Sequence, residues 1–184
     1  VSFAPNVQST LTNPGGAWLD DGKTYKFEAT VADAGIDVDE VTIDITGAKD
    51  AAGNLQVDHT ATVGLEVDTE NPTAEYSSVI KDQNKDGTKD VSSDADTIVA
   101  YTVDFSEPVS GIAETDIAVA GGKVVTGTLE LSNDKKQATF DVQASDNSVA
   151  DLVVTVKSTV TDLKGNKLVE SPSDAVTVDT RNPE

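Results

Sequence analysis

The sequence predicts an all-β protein built from antiparallel sheets, and two observations lead to that prediction. Stretches rich in Val, Thr and Ile alternate apolar with polar residues, and Gly, Asn, Asp or Pro bound each of them. No stretch has the spacing of apolar residues that is typical of an amphipathic helix. The strand pattern is clearest in residues 23–31, 40–46, 61–67, 97–105, 137–144 and 152–158.

Two of these stretches predict different positions within a sheet. In residues 40–46, E-V-T-I-D-I-T, every second residue is apolar, so we expect one face in the core and one in water. A shift of one residue would bury Asp44. Residues 152–156 are more continuously apolar, which predicts a strand in the centre of its sheet.

The chain also contains an internal repeat. Residues 48–72 (AKDAAGNLQVDHTATVGLEVDTENP) align with residues 160–183 (VTDLKGNKLVESPSDAVTVDTRNP) through a D-x-x-G-N turn and a V-D-T-x-N-P ending. Asp68 and Asp179 in the two endings stand 111 positions apart, which suits an Ig-like domain of about 100 residues. The repeat therefore predicts tandem Ig-like antiparallel β-sandwiches, with domains at residues 1–69 and 70–184.

The first copy of the repeat is incomplete. The similarity extends backwards, because DDGKTYKFEATVADAG near Asp20 resembles SNDKKQATFDVQASDN near Asn133. Residues 1–69 nevertheless match only the later part of the second unit, from about Ile117 onward, and lack a counterpart of residues 71–116. We expect either that the sequence begins inside a domain or that the first domain is a shortened variant.

The net charge of −20, from 33 acidic and 13 basic residues, indicates a cationic partner. Such a surplus opposes compaction through self-repulsion. Nucleic acids and anionic membranes are disfavoured, because binding to them requires Lys and Arg to neutralise phosphates. Divalent cations fit the surplus, and the alternative is general acidity for solubility or a saline habitat.

The absence of Cys excludes disulfides and thiolate zinc sites. A small extracellular domain without disulfides often needs another source of stability, and we expect bound calcium in that role. The sequence has no signal peptide and no apolar run of about 18 residues, so we expect a soluble fragment whose export signal lies outside it.

The first candidate calcium site is the loop at residues 82–90, D-Q-N-K-D-G-T-K-D. Oxygen-bearing side chains occur at positions one, three and five, and Gly follows at six, which is typical of calcium loops. Position twelve is Ser93 rather than Glu and the flanks are not helical in pattern, so the loop is not an EF-hand. The alternative is a solvated hairpin loop. The candidate ligands are Asp82, Asn84, Asp86, Thr88 through its carbonyl, and Asp90.

The second candidate site is the predicted domain junction. Asp68 ends a strand, and Pro72 stiffens the exit from it. We expect the D-x-x-G-N turn at the same pole of the sandwich, and turns of the second domain facing back toward it. A cation held by both domains would fix their relative angle, and the alternative is a set of ordinary turn and linker residues. The candidate ligands are Asp50, Asn54, Asp68, Glu107 and Asp116, with Asp162, Asn166 and Asp179 as the corresponding set for a following domain.

The parts needed for catalysis are missing from the sequence, so we expect no enzyme. The sole histidine, His59, lies in a polar stretch and is predicted to be on the surface. There is no thiol nucleophile and no phosphate-binding glycine loop, and no carboxylate pair stands out. The sole tryptophan, Trp18, is predicted to lie in the core, and the alternative is an exposed ring that stacks on sugars.

Taken together, the V-D-T-x-N-P endings, the D-x-x-G-N turns and the F-S-E-P-V hairpin resemble the bacterial Ig-like repeats of giant secreted adhesins. These repeats form the extender regions of repeats-in-toxin and related type I-secreted adhesins. The resemblance covers residues 71–183 well and residues 18–69 in part. The positions that match the family pattern are Asp50, Asp68, Glu107, Asp162 and Asp179.

The resemblance implies an exported tandem array on the bacterial cell surface that binds calcium at domain junctions and projects a distal binding tip. Its direct partners would be neighbouring repeats of the same chain. The alternatives are an adhesin module that itself binds a glycan or a protein, and an accessory domain of a secreted hydrolase.

Overall fold

A computed structural model describes residues 2–5, 7, 11–19, 23–81 and 97–181. These residues form antiparallel β-sheets and contain no α-helix, so the all-β prediction is confirmed. Within them, no helix has the length and apolar character needed to cross a membrane. The chain divides into two compact units, unit 1 at Val1–Glu70 and unit 2 at Asn71–Glu184. The predicted calcium loop at residues 82–90 lies outside the described residues.

Unit 1 is built from short strands that alternate with turns. Its described part contains β1 (Ser2–Ala4), β2 (Leu11–Trp18), β3 (Tyr25–Val31), β4 (Asp37–Ile45) and β5 (His59–Asp68). Strand β4 lies between β1 and β5 in one sheet, whereas β2 and β3 pair as a separate hairpin.

The core of unit 1 is small. Among the residues whose burial the structure describes, the buried apolar ones are Val7, Val41 and Val67, each at most 4% exposed, with a few partly buried neighbours. The two faces predicted for β4 are not separated by burial. Val41 is fully buried, but Thr42, Ile43 and Asp44 are all partly buried, and Ile45 at the end of the strand is 38% exposed. All seven residues of β3 are exposed. Unit 1 therefore leaves much of its apolar strand surface in water.

Unit 2 is larger, and its described residues form two sheets. Its strands are β6 (Ala74–Ile80), β7 (Ile98–Phe105), β8 (Ile117–Ala120), β9 (Gly122–Val124), β10 (Glu130–Leu131), β11 (Gln137–Ala144), β12 (Val149–Val156) and β13 (Val176–Asp179). One sheet has the order β10-β11-β7-β6, with β9 also paired to β11, and the other has the order β13-β12-β8. Strand β12 is thus central in its sheet, as its apolar sequence predicts. A short 3₁₀ helix, Glu114–Asp116, precedes β8.

Alternate residues of β7, β11 and β12 form the core of unit 2. Tyr101 and Phe140 lie opposite each other across β7 and β11, and their rings stack with centroids 5.9 Å apart. The Tyr101 hydroxyl donates a hydrogen bond to the Leu152 carbonyl at 3.5 Å, which ties the first sheet to the second. The buried residues of these strands are Val99, Tyr101, Val103, Phe105, Ala138, Phe140, Val142, Ala144, Leu152, Val154 and Val156.

The two units have corresponding topologies. The sheet β1-β4-β5 of unit 1 has the arrangement of β8-β12-β13 in unit 2, and the hairpin β2–β3 has that of β10–β11. The described residues of unit 1 include no counterparts of β6 and β7. This difference explains why a predicted core residue, Trp18, is 57% exposed. The prediction for Trp18 was wrong because the hairpin that carries it lacks the covering strands of a whole sandwich.

Candidate functional site

The D-x-x-G-N turn of unit 2 is folded around the carboxylate of Asp162. Its Oδ1 accepts hydrogen bonds from the backbone N–H groups of Lys164, Gly165 and Asn166 at 2.8, 2.6 and 2.8 Å. Its Oδ2 accepts one from Asn166 Nδ2 at 2.8 Å. Gly165 has φ +101°, a conformation that other residues rarely adopt, so the glycine of the motif is required by the turn.

The D-x-x-G-N turn of unit 1 repeats this arrangement. Asp50 Oδ1 accepts from the backbone N–H groups of Ala52 at 2.9 Å and Asn54 at 2.8 Å, and Asp50 Oδ2 accepts from Asn54 Nδ2 at 2.9 Å. Gly53 again has a positive φ, +89°. The structure therefore pairs Asp50 with Asn54 and Asp162 with Asn166, and each Asn locks the carboxylate of its Asp.

The two Asp residues differ in burial, and both have lowered pKa values. Asp162 is only 2% exposed, whereas Asp50 is exposed. Burial by itself would raise the pKa of Asp162, but hydrogen bonds from the Asn166 side chain and from three backbone amides outweigh it and hold the pKa below its ordinary value. The pKa of Asp50 is lowered mainly by the hydrogen bond from the Asn54 side chain. Both carboxylates are consequently ionised at neutral pH.

Glu107, in the F-S-E-P-V segment after β7, lies beside Asp162. A carboxylate oxygen of Glu107 and one of Asp162 are within 4.8 Å of each other. The segment is held there because Val109 forms a β-bridge with Asp162, and the Ser110 N–H donates to the Thr161 carbonyl at 2.7 Å. These two side chains form what we call the acidic pair of unit 2.

The acidic pair has the chemistry of part of a hard-cation site. Two carboxylates this close disfavour each other's ionised form, and a divalent cation between them removes that repulsion. Asp162 Oδ1 already accepts three hydrogen bonds, but Oδ2 accepts one and retains a lone pair for a metal. Calcium takes six to eight oxygens, so two carboxylates would need further ligands from water, carbonyls or another acidic residue.

The remaining predicted ligands in the described residues lie in other local arrangements. Asp116 Oδ2 accepts from the Ala113 N–H at 2.9 Å, and its Oδ1 accepts from Thr159 Oγ1 at 2.7 Å, so that Asp116 closes the turn before β8. Asp68 and Asp179 end β5 and β13. Each accepts a hydrogen bond through Oδ1 from the N–H two residues later, at 3.1 Å for Asp68 and 3.0 Å for Asp179.

Sequence reasoning missed the threonine of the V-D-T ending. In unit 2, Thr180 is 1% exposed, and its Oγ1 donates to the Ser145 carbonyl at 2.7 Å and accepts from the Ser148 N–H at 3.0 Å. In unit 1, Thr69 Oγ1 accepts from the Ile36 N–H at 3.1 Å. The threonine thus clamps the end of the last strand to the loop before the central strand in both units. Its recurrence in the sequence was the available signal.

Two further residues singled out in the sequence lie on the surface. His59 is exposed at the start of β5, opposite Ile45. Trp18 packs edge-on against Tyr25 with ring centroids 5.3 Å apart, and both side chains remain about half exposed.

Comparisons of the chain with family models, with curated proteins and with solved structures give no match. The functional proposal therefore rests on the residues of this chain and on their arrangement in the structure.

Proposed function

We propose that this chain is a structural extender module of a large bacterial cell-surface adhesin, stiffened by calcium at domain junctions and loops. Its partners would be neighbouring repeats of the same exported chain, which together project a distal binding tip. The proposal is supported by the repetition of one set of motifs that folds alike in both units, since an array of repeats needs the same connections at each junction.

The Ig-like part of the proposal is supported by the organisation of unit 2. Two antiparallel sheets contribute alternate residues to one core, and Tyr101 connects them through its ring and its hydroxyl. Two packed antiparallel sheets with a shared core are the plan of a β-sandwich. Unit 1 has the corresponding strands of one sheet and half of the other.

The acidic pair is the observation that carries the calcium proposal. Its two carboxylates lie within 4.8 Å of each other in a chain of net charge −20, where a divalent cation would relieve repulsion. In the sequence, Asp68 precedes Pro72 by four positions, which makes it the strand-end carboxylate of unit 1 with the shortest covalent path to unit 2. A cation with ligands from both units would remove hinge freedom and convert a flexible linkage into a rigid one.

Thermal unfolding in EDTA and then in 5 mM calcium tests the proposal. A ligand that binds only the folded state stabilises it by RT ln(1 + [L]/Kd), which is about 2 kcal/mol for a Kd near 0.1 mM. In a domain of about 100 residues this raises the Tm by about 10 °C. Glu107→Gln should abolish most of the rise in Tm, while Glu130→Gln, at an exposed position of β10, should leave the rise unchanged. An equal rise with magnesium, or a full rise in Glu107→Gln, would contradict the calcium assignment.

Stiffening requires a separate measurement, because calcium could stabilise one unit without fixing the linkage. Small-angle X-ray scattering of the whole chain should show a narrower distribution of maximum dimensions with calcium than with EDTA. In EDTA, Asp68→Asn should give the same distribution of maximum dimensions as the unsubstituted chain. In calcium, the variant should not show the narrowing of that distribution. If the distribution has the same width in both solutions, calcium does not act as a stiffener.

A second candidate function, a ligand-binding adhesin module, is favoured by one observation. The aromatic pair Trp18–Tyr25 is solvent-exposed on the β2–β3 hairpin, and exposed aromatic rings are typical of glycan and protein recognition sites. A glycan-array signal that disappears in Trp18→Ala would support this function. A signal that survives the substitution would place any glycan site elsewhere.

A further inference from the structure

A threonine closes the last strand of each unit in the same way. In unit 2, Thr180 follows β13, and its backbone N–H donates to the Ser148 carbonyl at 2.8 Å. Its Oγ1 donates to the Ser145 carbonyl at 2.7 Å and accepts from the Ser148 N–H at 3.0 Å. In unit 1, Thr69 follows β5, its N–H donates to the Ile36 carbonyl at 2.6 Å, and its Oγ1 accepts from the Ile36 N–H at 3.1 Å. We call each set of hydrogen bonds the threonine clamp of its unit.

The loop that each clamp holds has the same backbone conformation in both units. Gly35 directly precedes Ile36, Asn147 directly precedes Ser148, and both have a positive φ, +61° and +51°. Residues other than glycine adopt this conformation at a cost in free energy, and Asn tolerates it better than most. In each unit the next residue then directs both its N–H and its carbonyl to one threonine. The clamp is therefore a recurring feature of the two units, although their loops differ in sequence.

Tension along the chain would cross unit 2 from one end to the other. The chain enters near the end of β12, since the Tyr76 hydroxyl of β6 accepts a hydrogen bond from the Val156 N–H at 3.0 Å. It leaves beside the start of β12, where Asp179 of β13 pairs with Val149. These two points lie at opposite ends of β12, a strand of eight residues and about 25 Å. A pull on the two ends of unit 2 is therefore directed along its strands.

Strands β6 and β13 receive that pull with ladders of different length. The hydrogen bonds of an antiparallel ladder are perpendicular to the strands, so tension along a strand loads all of them together. Strand β6 is held to β7 by seven residue pairs, whereas β13 is held to β12 by four. The shorter ladder of β13 is thus the weaker attachment. The threonine clamp adds its hydrogen bonds at the end of β13 where the tension leaves unit 2.

We propose that unit 2 bears tension between β6 and β13, and that its threonine clamp is the element that resists the release of β13 under load. Thr69 has the same role at the end of β5 in unit 1. The inference rests on the proposed extender function only in taking the chain to be pulled end to end, and it requires no calcium. Hydrogen bonds that break before the transition state of unfolding raise the barrier, whereas those that break after it do not. A clamp residue should therefore control the rate of unfolding under force.

Thr128 provides a matched control within unit 2. Its Oγ1 donates to the Val125 carbonyl at 2.7 Å and accepts from the Asp141 N–H at 3.0 Å, so it makes the same two kinds of hydrogen bond as the Thr180 hydroxyl. These contacts join the loop before β10 to β11 and involve neither β6 nor β13. Replacing either threonine with valine removes one donated and one accepted hydrogen bond and nearly preserves the shape of the side chain.

Magnetic tweezers measure the unfolding rate of the full chain at constant force in EDTA. The chain contains no cysteine, so a cysteine added at each end attaches the handles specifically. The larger step in length reports unit 2, because unit 2 has more residues than unit 1. We expect Thr180→Val to raise the unfolding rate of unit 2 about thirtyfold, equivalent to about 2 kcal/mol for two lost hydrogen bonds. Thr180→Ser keeps the hydroxyl and should restore most of the original rate.

Equilibrium unfolding in urea separates the mechanical role from general destabilisation. Thr128→Val should lower the urea midpoint of unit 2 about as much as Thr180→Val, because each variant loses two hydrogen bonds. Under force, Thr128→Val should leave the unfolding rate nearly unchanged, since its hydrogen bonds are still intact when β13 is released. Thr69→Val should accelerate the smaller step, which belongs to unit 1, and leave the larger step unchanged.

Three results would overturn the proposal. The first is a Thr180→Val chain whose urea midpoint falls while its unfolding rate under force is unchanged, which would mean that another strand yields before β13. The second is equal acceleration by Thr128→Val, which would reduce the effect to stability alone. The third is an unchanged unit 1 step in Thr69→Val, which also decides the matter if circular dichroism shows Thr180→Val to be unfolded. A Tm that does not respond to calcium would contradict calcium stiffening and leave these force measurements unaffected, so the two proposals fail separately.

Discussion

Replacing Asp162 with alanine should destabilise unit 2 substantially while leaving unit 1 unchanged. The carboxylate is 2% exposed and accepts four hydrogen bonds, three of them from backbone amides of its own turn. Removing it leaves those donors without their charged acceptor. Water can reach part of the turn, because Leu163 is 59% exposed, so the loss is smaller than four full hydrogen bonds.

The magnitude follows from two opposing effects. The lost hydrogen bonds to an ionised group should cost about 3–4 kcal/mol together. Glu107 lies within 4.8 Å and is itself only partly buried, so water screens its repulsion on Asp162, and relief of that repulsion returns about 1 kcal/mol. The expected net loss of about 2–3 kcal/mol corresponds to a decrease of about 10 °C in the Tm of a domain of this size.

Differential scanning calorimetry in EDTA measures the effect, because EDTA removes any contribution from bound cations. Hydrogen exchange of the β12 amides assigns the change to unit 2, while Trp18 emission reports on unit 1. Asp50→Ala is the matched control, since Asp50 has the same motif and turn but is exposed. A loss below about 1 kcal/mol, or an equal Tm decrease in the control, would refute the view that burial of the carboxylate makes this turn structural.

Three further predictions concern unit 2. The stabilisation that ionised Asp162 provides should be present above pH 3.8, the ordinary pKa of an Asp, and should be lost as the pH falls through the lower pKa of the folded state. Acid titration followed by circular dichroism should therefore show a smaller loss of stability in Asp162→Ala. Gly122→Ala should cost about 2 kcal/mol in urea unfolding, because the new Cβ would meet a backbone carbonyl of β11, whereas Gly111→Ala has open space and should be nearly neutral. Phe140→Ala should lower the free energy of unfolding by about 4 kcal/mol by the same method, and Phe27→Ala by clearly less, since the two side chains are 2% and 36% exposed. Equal losses would contradict the finding that Phe27 is only partly covered in unit 1.

Local patterns in the sequence were sufficient for the elements and turns. Strands β3 and β11 were recognisable from period-two alternation, because a strand repeats its side-chain direction every two residues. The D-x-x-G-N turn was recognisable because its hydrogen bonds join residues at most four positions apart, as in the bonds from Asn166 to Asp162. The proximity of Glu107 and Asp162 was not predicted, because the repeat assigned Asp162 to a site shared with a following domain and Glu107 to the junction with unit 1. No local pattern shows that these two turns meet.

Burial could not be inferred from the same patterns. The D-x-x-G-N turns of the two units are alike in sequence and in hydrogen bonding, yet Asp162 is buried and Asp50 is exposed. Similarly, Phe27 and Phe140 occupy matching positions of matching strands and differ in exposure. The sequence near each residue does not show which distant strands will cover it.

The sequence by itself determined that this protein is made of antiparallel strands, that its motifs repeat, and where the D-x-x-G-N turns lie. Only the tertiary structure decided that Trp18 is exposed, that Thr180 clamps the last strand of unit 2, and that β3 pairs with no strand other than β2 among the described residues. Strand alternation and turn hydrogen bonds act between residues a few positions apart. Burial depends on pairings such as β7 with β11, whose partners lie more than thirty positions apart in the chain.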